Sequence, residues 1–167
     1  MTEEIQKEKG FSRRTVVKGA AWSVPVIAAA VATPLAAAST ADVGAFTTAG
    51  TCGILGVLGP GFTLTASATA PLPVGTTITI TGSGVANIGV FSVTGGTASV
   101  SVLSGTSRLI TLTSELPAGA TIAFRTTLSI SVAFTLNEVV TLPTGYVGTG
   151  AKTTGSVSST LVLCSAS

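Results

Sequence analysis

The longest regular pattern in this 167-residue chain is an alternation of apolar and polar residues near its middle. Seven even-numbered positions are apolar: Ile122, Phe124, Leu128, Ile130, Val132, Phe134 and Leu136. Side chains of a β-strand alternate between its two faces, so the pattern predicts a strand with one buried face. At about 3.3 Å per residue the run would extend roughly 50 Å, which exceeds an ordinary strand. We therefore expect a bend or a switch between sheets near Ser129 to Ser131.

Shorter stretches of the same alternation predict further strands, and no stretch has helical periodicity. The predicted strands are Phe62–Ala70, Thr76–Gly82, Ile88–Val93, Thr97–Leu103, Arg108–Thr113 and Val157–Cys164, after an irregular entry from Ser39 to Ala45.

Three segments share the sequence Leu-Pro-x-Gly, and each is typical of a tight turn between strands: Leu72–Gly75, Leu116–Gly119 and Leu142–Gly145. Proline fixes φ at the second turn position, and glycine is favoured at the fourth. Short strands with regular turns predict an all-β, antiparallel β-sandwich of seven to nine strands. In this general pattern the region resembles secreted bacterial immunoglobulin-like modules, which implies an immunoglobulin-like fold.

The first 38 residues differ from the rest in charge and hydropathy. Five of the eight Lys and Arg residues precede Gly19, and an uncharged, mostly apolar stretch runs from Gly19 to Ala38. Basic residues, an apolar segment and small residues such as Ala36 and Ala38 follow each other in export signals. We expect cleavage after Ala38, so that residues 1–38 form a helical signal segment and residues 39–167 a secreted domain.

The residues from Ser12 to Lys18, Ser-Arg-Arg-Thr-Val-Val-Lys, specify the export route. They resemble the motif of bacterial twin-arginine (Tat) signal peptides, with Arg13 and Arg14 as the arginine pair. The resemblance implies the Tat translocase and a signal peptidase as partners during export. General secretory export and a retained membrane anchor remain alternatives. Pro25 and Pro34, together with many alanines, weaken the anchor reading.

Charge is scarce in the predicted secreted domain, which has three basic residues, Arg108, Arg125 and Lys152, and three acids, Asp42, Glu115 and Glu138. Thr and Ser supply 42 of its 129 residues, and His and Trp are absent from it. Nucleic-acid binding depends on clustered basic residues, and metal or haem sites depend on clustered His, Cys or carboxylates. We therefore expect no nucleic-acid partner, no cofactor and no metal. After Ala38 no uninterrupted apolar run approaches the roughly 20 residues that span a bilayer, so we also expect no stable membrane insertion after cleavage.

Few residues of this domain are candidates for catalysis or binding. Glu115 and Glu138 could form a glycosidase pair, or Lys152 could activate a serine. The more ordinary interpretation is that both carboxylates lie in solvated loops, so we predict no catalytic residue. Arg125 is expected on the polar face of its strand. Tyr146, flanked by glycines, is the best single candidate for a contact residue, although tyrosines more often pack over a loop.

Cys52 and Cys164 are the two cysteines of the chain, and both follow the predicted cleavage point. Disulfides persist in exported proteins, so we predict a Cys52–Cys164 bond that closes the sandwich.

Together these features predict an exported bacterial extracellular or cell-surface protein with a non-enzymatic structural, adhesive or assembly role. The alternatives are a small secreted hydrolase with an unusual site and a subunit of a surface polymer that adds strands edge to edge. A protein or cell-wall partner is not identifiable from the sequence.

Overall fold

The structure, a computed structural model, describes residues 39–54, 58–128, 132–161 and 163–167. Residues Thr40–Ser167 form one compact unit. The predicted signal segment, with Arg13, Arg14, Ala36 and Ala38, lies outside the described residues. No helix long and apolar enough to cross a membrane occurs in the described part of the chain.

The described residues form an all-β fold with two antiparallel sheets. Strands are numbered in chain order. The strands of the six-stranded sheet lie in the order β12 (Cys164–Ala166), β11 (Thr154–Ser159), β9 (Phe134–Thr141), β4 (Thr77–Ser83), β7 (Ser107–Leu112) and β6 (Ala98–Ser104). The four-stranded sheet has the order β2 (Thr47–Thr51), β3 (Gly61–Thr65), β8 (Thr121–Thr126) and β5 (Phe91–Thr94). Two short strands, β1 (Ala41–Asp42) and β10 (Tyr146–Val147), pair in parallel.

Both sheets contribute to a single hydrophobic core. The alternation places Phe62, Leu64, Ile122 and Phe124 inward from the four-stranded sheet. The six-stranded sheet contributes Ile78, Ile80, Ile110, Leu112, Leu136, Val140 and Val157. Hydroxyl-bearing side chains occupy most of the alternate positions, which explains why so few charges suffice at the surface.

The predicted change of sheet within the long run is confirmed, because β8 belongs to the four-stranded sheet and β9 to the six-stranded sheet, although residues 129–131 themselves lie outside the described residues. The predicted strands at 76–82, 97–103 and 108–113 agree with β4, β6 and β7 within about one residue. The Phe62–Ala70 prediction was too long, since β3 ends at Thr65 and Ala68 is exposed. The predicted Val157–Cys164 strand is instead two strands, β11 and β12, and the sequence did not predict β1, β2 or β10.

The connections between strands divide into two sets at opposite ends of the unit. One end, which we call the apolar end, carries the β2–β3, β4–β5, β6–β7, β8–β9 and β11–β12 connections. The other end, called the charged end, carries the three Leu-Pro-x-Gly turns together with β1 and β10. Asp42, Glu115 and Lys152 lie there.

Candidate functional site

Large apolar side chains are exposed mainly at the apolar end. Twelve such side chains are exposed among the described residues, and eight of them belong to this end. Their exposed fractions range from 42% to 76%. The eight are Ile54 and Leu58, Val90, Val102 and Leu103, Val132, and Leu161 and Leu163. A concentration of exposed aliphatic groups at one end of a small domain makes that end the candidate interaction surface.

Covalent and hydrogen bonds join the connections that carry six of these side chains, while Val102 and Leu103 lie near the end of β6. The Cys52–Cys164 disulfide links the β2–β3 connection to the start of β12, with Cα atoms 5.8 Å apart. Ile88 N–H donates to Gly105 O over 3.0 Å, which joins the β4–β5 connection to the β6–β7 turn. Thr127 N–H donates to Val90 O over 3.1 Å, which adds the β8–β9 connection. These bonds join the β2–β3 connection to β12, and the β4–β5, β6–β7 and β8–β9 connections to one another, so the ends of the strands form a cross-linked base in two groups.

Arg108 supports this base from inside. Its side chain is 96% buried, and its guanidinium donates hydrogen bonds to five acceptors in or directly next to the β4–β5 and β6–β7 connections. Four of these acceptors are backbone oxygens, including Gly89 O at 2.9 Å, and the fifth is Asn87 Oδ1 at 3.0 Å. No carboxylate is among them, so Arg108 adds positive charge to the apolar end while it fixes the β4–β5 and β6–β7 connections.

Arg125 is a second cation beside this end. It occupies the penultimate position of β8 and donates to Thr51 Oγ1, next to Cys52. Gly61 lies between them in the sheet, and its missing side chain leaves room for this reach across β3. Partial burial lowers the pKa of Arg125 below its usual value. The structure confirms that this side chain lies on the outer face of its strand.

The charged end contains a small cavity of about 250 Å³. Glu115 and Ser114 line it, together with Thr97 and apolar residues that include Leu116 and Ile122. Thr97 Oγ1 and Ser114 Oγ are 2.6 Å apart. Glu115 itself is exposed, as predicted for a carboxylate beside a turn. The cavity thus has one carboxylate and two hydroxyls, and neither Glu138 nor Lys152 lines it.

Glu138 is not in a solvated loop, so that prediction was wrong. It lies within β9, between the inward-facing Leu136 and Val140, and is 1% exposed. Thr48 Oγ1 donates a hydrogen bond to Glu138 Oε2, while Oε1 is buried without a partner in the described part of the structure. Burial raises the pKa of Glu138 to about 7, opposed by the Thr48 hydrogen bond, which lowers it.

The remaining candidates are dispersed. Lys152 is exposed, and its backbone pairs with Thr47 at the charged end. Tyr146 is 40% exposed within β10. The structure therefore does not unite Glu115, Glu138 and Lys152 in one site. Within the four described ranges, no group of three or more His, Cys, Asp or Glu side chains is placed to hold a metal ion.

The predicted Cys52–Cys164 disulfide is present. The apolar end itself was not predicted, although the sequence carries a signal for it. Residues 53–59, Gly-Ile-Leu-Gly-Val-Leu-Gly, combine the glycines of a connection with the aliphatic residues of a core. Connections are usually polar, so aliphatic residues in one are a reason to expect a contact surface.

Comparisons of the chain with protein-family models, with curated proteins and with solved structures found no match.

Proposed function

We propose that this chain is an exported bacterial extracellular or cell-surface protein that acts by binding, in a structural, adhesive or assembly role, and not by catalysis. The observation that carries the proposal is the apolar end, where eight of the twelve exposed large apolar side chains lie. Solvent exposure of these groups is unfavourable, and a partner that covers them would remove that cost.

The disulfide supports an extracytoplasmic location. Disulfides form and persist outside the reducing cytoplasm, and this one encloses a sequence separation of 112 residues. Its position beside the apolar end also holds the β2–β3 and β11–β12 connections together. The Tat-like sequence around Arg13 and Arg14 agrees with the same destination.

An immunoglobulin-like sandwich is the finer fold that we propose. Seven strands, β2, β3, β4, β5, β8, β9 and β11, can be lettered A to G in chain order. The four-stranded sheet then has the order A-B-E-D, and β4, β9 and β11 have the order C-F-G. This is the arrangement of constant-type immunoglobulin domains. The β6–β7 hairpin is an insertion between D and E that extends the sheet beyond strand C.

A second candidate function, a subunit of a surface polymer, is favoured by the edge strand β6. Its sequence, Ala-Ser-Val-Ser-Val-Leu-Ser, contains no charge and no proline, which are the usual protections against edge-to-edge pairing. A register shift between Val102 and Ser104 interrupts only its last residues. Growth of large assemblies that is prevented by Val100→Lys would support this candidate.

The proposed function is tested by locating the protein in bacterial fractions. We expect the wild-type chain in the extracytoplasmic fraction, oxidised at Cys52 and Cys164, because a Tat substrate crosses the membrane before it reaches oxidising conditions. The double variant Arg13→Lys/Arg14→Lys should remain in the cytoplasm with both thiols reduced. The matched control Lys7→Arg/Lys9→Arg should be exported normally.

Two outcomes would reject the proposal. One is a wild-type protein that stays in the cytoplasm. The other is a purified protein with a reproducible hydrolase activity that is lost in Glu115→Gln, Glu138→Gln or Lys152→Gln.

A further inference from the structure

We propose that the edge strand β6 pairs antiparallel with β6 of a second copy of the chain, so that two units form a closed dimer with one continuous sheet. This inference rests on the proposed function and deepens it by naming a second copy as a partner. The closed dimer differs from a surface polymer, because a symmetric interface uses the β6 edge of both copies and leaves none for further growth.

Strand β6 is the longest strand at the edge of a sheet in the part of the chain that the structure describes. It has seven residues and one neighbour, β7, whereas the edge strands β12 and β5 have three and four residues. The remaining edge strand, β2, already donates the N–H groups of Thr48 and Gly50 to backbone oxygens outside its own sheet. Strand β6 is therefore the edge at which a further strand can add.

The hydrogen bonds between β6 and β7 determine which backbone groups of β6 face outward. Thr113 N–H donates to Thr97 O over 3.1 Å, so Thr97 directs its backbone groups toward β7. Successive residues of a strand direct these groups to opposite sides, and the pairing of β6 with β7 is regular as far as Val102. Ala98, Val100 and Val102 therefore present their N–H and C=O groups to the open edge.

The sequence of β6 is complementary to itself in an antiparallel pair that is centred on Val100. In this register Val100 lies opposite Val100 of the second copy, and Ala98 lies opposite Val102. The residues that face outward then meet one another, which gives about six hydrogen bonds across the interface. Ser99 lies opposite Ser101 on the outer face of the joint sheet.

The regular part of β6 has the length that this register uses. A register shift between Val102 and Ser104 ends the regular pairing with β7. The regular segment therefore runs from Ala98 to Val102, and Val100 is its middle residue. A pair centred on Val100 matches every residue of this segment, whereas any other centre leaves part of each segment without a partner.

The side chains of β6 are compatible with this pairing. The strand contains no charged side chain, so two copies bring no like charges together, and it contains no proline, so no backbone donor is missing. Val102 is 71% exposed in the single unit, and Ala98 of the second copy would lie beside it. Pairing therefore also removes apolar surface from water.

The arrangement keeps the two cores on the same side of the joint sheet. Residues that lie opposite each other in an antiparallel pair point to the same face, and Ala98 and Val100 pack against the core. The two units lie side by side in opposite directions. Because β6 runs toward the apolar end, the two apolar ends lie at opposite extremities of the dimer. The dimer thus offers one binding end in each direction, which suits an adhesive or assembly role.

The experiment measures the dissociation constant of the dimer by sedimentation equilibrium of the purified full-length chain. Two variants change the same two exposed serines. In the proposed register, Ser99→Lys/Ser101→Lys places like charges opposite each other, and Ser99→Lys/Ser101→Glu places unlike charges opposite each other.

The control variant, Val139→Lys/Thr141→Lys, adds two positive charges at the same spacing. Both positions are exposed on β9, which lies inside the sheet and away from the β6 edge. Every protein retains residues 1–38, so differences between variants report the substituted strand. Circular dichroism confirms that each variant is folded.

We expect a wild-type dimer with a dissociation constant in the micromolar range, because an interface of one strand pair is small. Ser99→Lys/Ser101→Lys should raise the constant roughly tenfold, since two pairs of like charges form across the interface. Ser99→Lys/Ser101→Glu should lower it roughly fivefold at low salt, and this gain should shrink at high salt. The control should stay within about twofold of wild type, because β9 is not part of the interface.

Several results would overturn the dimer proposal. A chain that is monomeric at millimolar concentration does not pair with itself, and its β6 edge is left to a strand of another protein. Equal association of all four proteins would assign the contact to another surface, and weaker association of both serine variants would exclude the register centred on Val100. Assemblies that grow beyond two copies would favour the surface polymer. If the protein is exported and oxidised but monomeric, the dimer proposal alone is wrong and the proposed function stands.

Discussion

Glu138 gives the sharpest prediction, because a carboxyl group in an apolar core makes stability depend on pH. Glu138 accepts a hydrogen bond from Thr48, and its other oxygen is buried without a partner in the described structure. Burial raises its pKa from 4.5 to about 7. The neutral form is therefore the one that the folded protein favours.

The magnitude follows from this difference in proton affinity. Each tenfold difference corresponds to about 1.4 kcal/mol. An increase of the pKa from 4.5 to about 7 thus means that the folded protein is about 3 kcal/mol less stable at high pH than at low pH. This is a large part of the 5–15 kcal/mol that is typical for a domain.

The sign is set by which state holds the proton more tightly. Below pH 4.5 the carboxyl group is protonated in both the folded and the unfolded chain, and the favourable contribution is fully present. Between pH 4.5 and about 7 the unfolded chain ionises first, so stability falls as the pH rises. Above about pH 7 the contribution is lost and the dependence becomes flat.

The surroundings of Glu138 contain little that would compensate its charge. The strands next to it, β4 and β11, and the strands that face it, β2 and β3, carry no charged side chain. Arg108 lies in the same cross-strand row but two strands away, beyond Ile80, and its guanidinium is bound to its own turn. The ionised carboxylate is consequently buried without a cation.

The assay is urea unfolding at pH values from 4 to 9, a range that includes both the pKa of 4.5 in the unfolded chain and the pKa of about 7 in the folded protein. Glu138→Gln removes the titration and keeps an acceptor for Thr48. Its free energy of unfolding should match wild type within about 1 kcal/mol at pH 4 and exceed it by about 3 kcal/mol at pH 9. Glu115→Gln, at an exposed position, should follow the wild-type curve at every pH. If the difference in free energy of unfolding between wild type and Glu138→Gln does not change with pH over this range, Glu138 does not destabilise the fold by ionising.

Three further predictions concern the disulfide, one glycine and one surface carboxylate. Replacing Cys52 and Cys164 by Ser should lower the free energy of unfolding by about 4 to 5 kcal/mol relative to the oxidised wild type in urea unfolding. The reduced wild type should match the variant, and a variant as stable as the oxidised protein would contradict this prediction. Gly50→Ala would place a methyl group 2.0 Å from a backbone oxygen of β11 and should cost about 2 to 3 kcal/mol in thermal unfolding. Gly119→Ala meets no atom within 4 Å and should cost only about 1 kcal/mol for its φ of +73°, so equal losses would contradict the clash. Asp42 accepts hydrogen bonds from two backbone N–H groups, and these bonds lower its pKa from 3.8. Asp42→Ala should therefore be less stable than wild type at neutral pH, and the difference in stability should shrink as the pH falls below 3.8. A difference in stability that does not change with pH would contradict this prediction.

The strands of this fold were predictable where alternation was regular and turn chemistry marked the ends. The same alternation also contained the information on Glu138, which lies in phase with Phe134, Leu136 and Val140. The prediction failed because a glutamate is rarely fully buried, so the general preference for solvent was given more weight than the local period. In β9 the alternation determined that Glu138 is buried, and its being a glutamate determined only the free-energy cost of that burial.

The split between β11 and β12 was not predictable from turn chemistry. The connection contains no Gly, Pro, Asn or Asp, and Leu161 adopts a φ of +69°, which is uncommon for a leucine. The apolar end was hidden for a related reason. Its members belong to connections far apart in sequence, and only the strand order and the disulfide bring those connections to one end.

The position of the disulfide also determines how the domain responds to a pulling force. A force applied between Thr40 and Ser167 passes through the bond between Cys52 and Cys164, because the chain between them is a covalent loop. Residues outside the loop, which include β1, β2 and β12, can be peeled away, and their contour length is roughly 50 Å. Reduction would release the enclosed chain, whose sequence separation of 112 residues corresponds to about 400 Å at full extension. The oxidised domain therefore extends only by the roughly 50 Å of chain outside the loop, and its strands from β3 to β11, which lie inside the loop, bear no load.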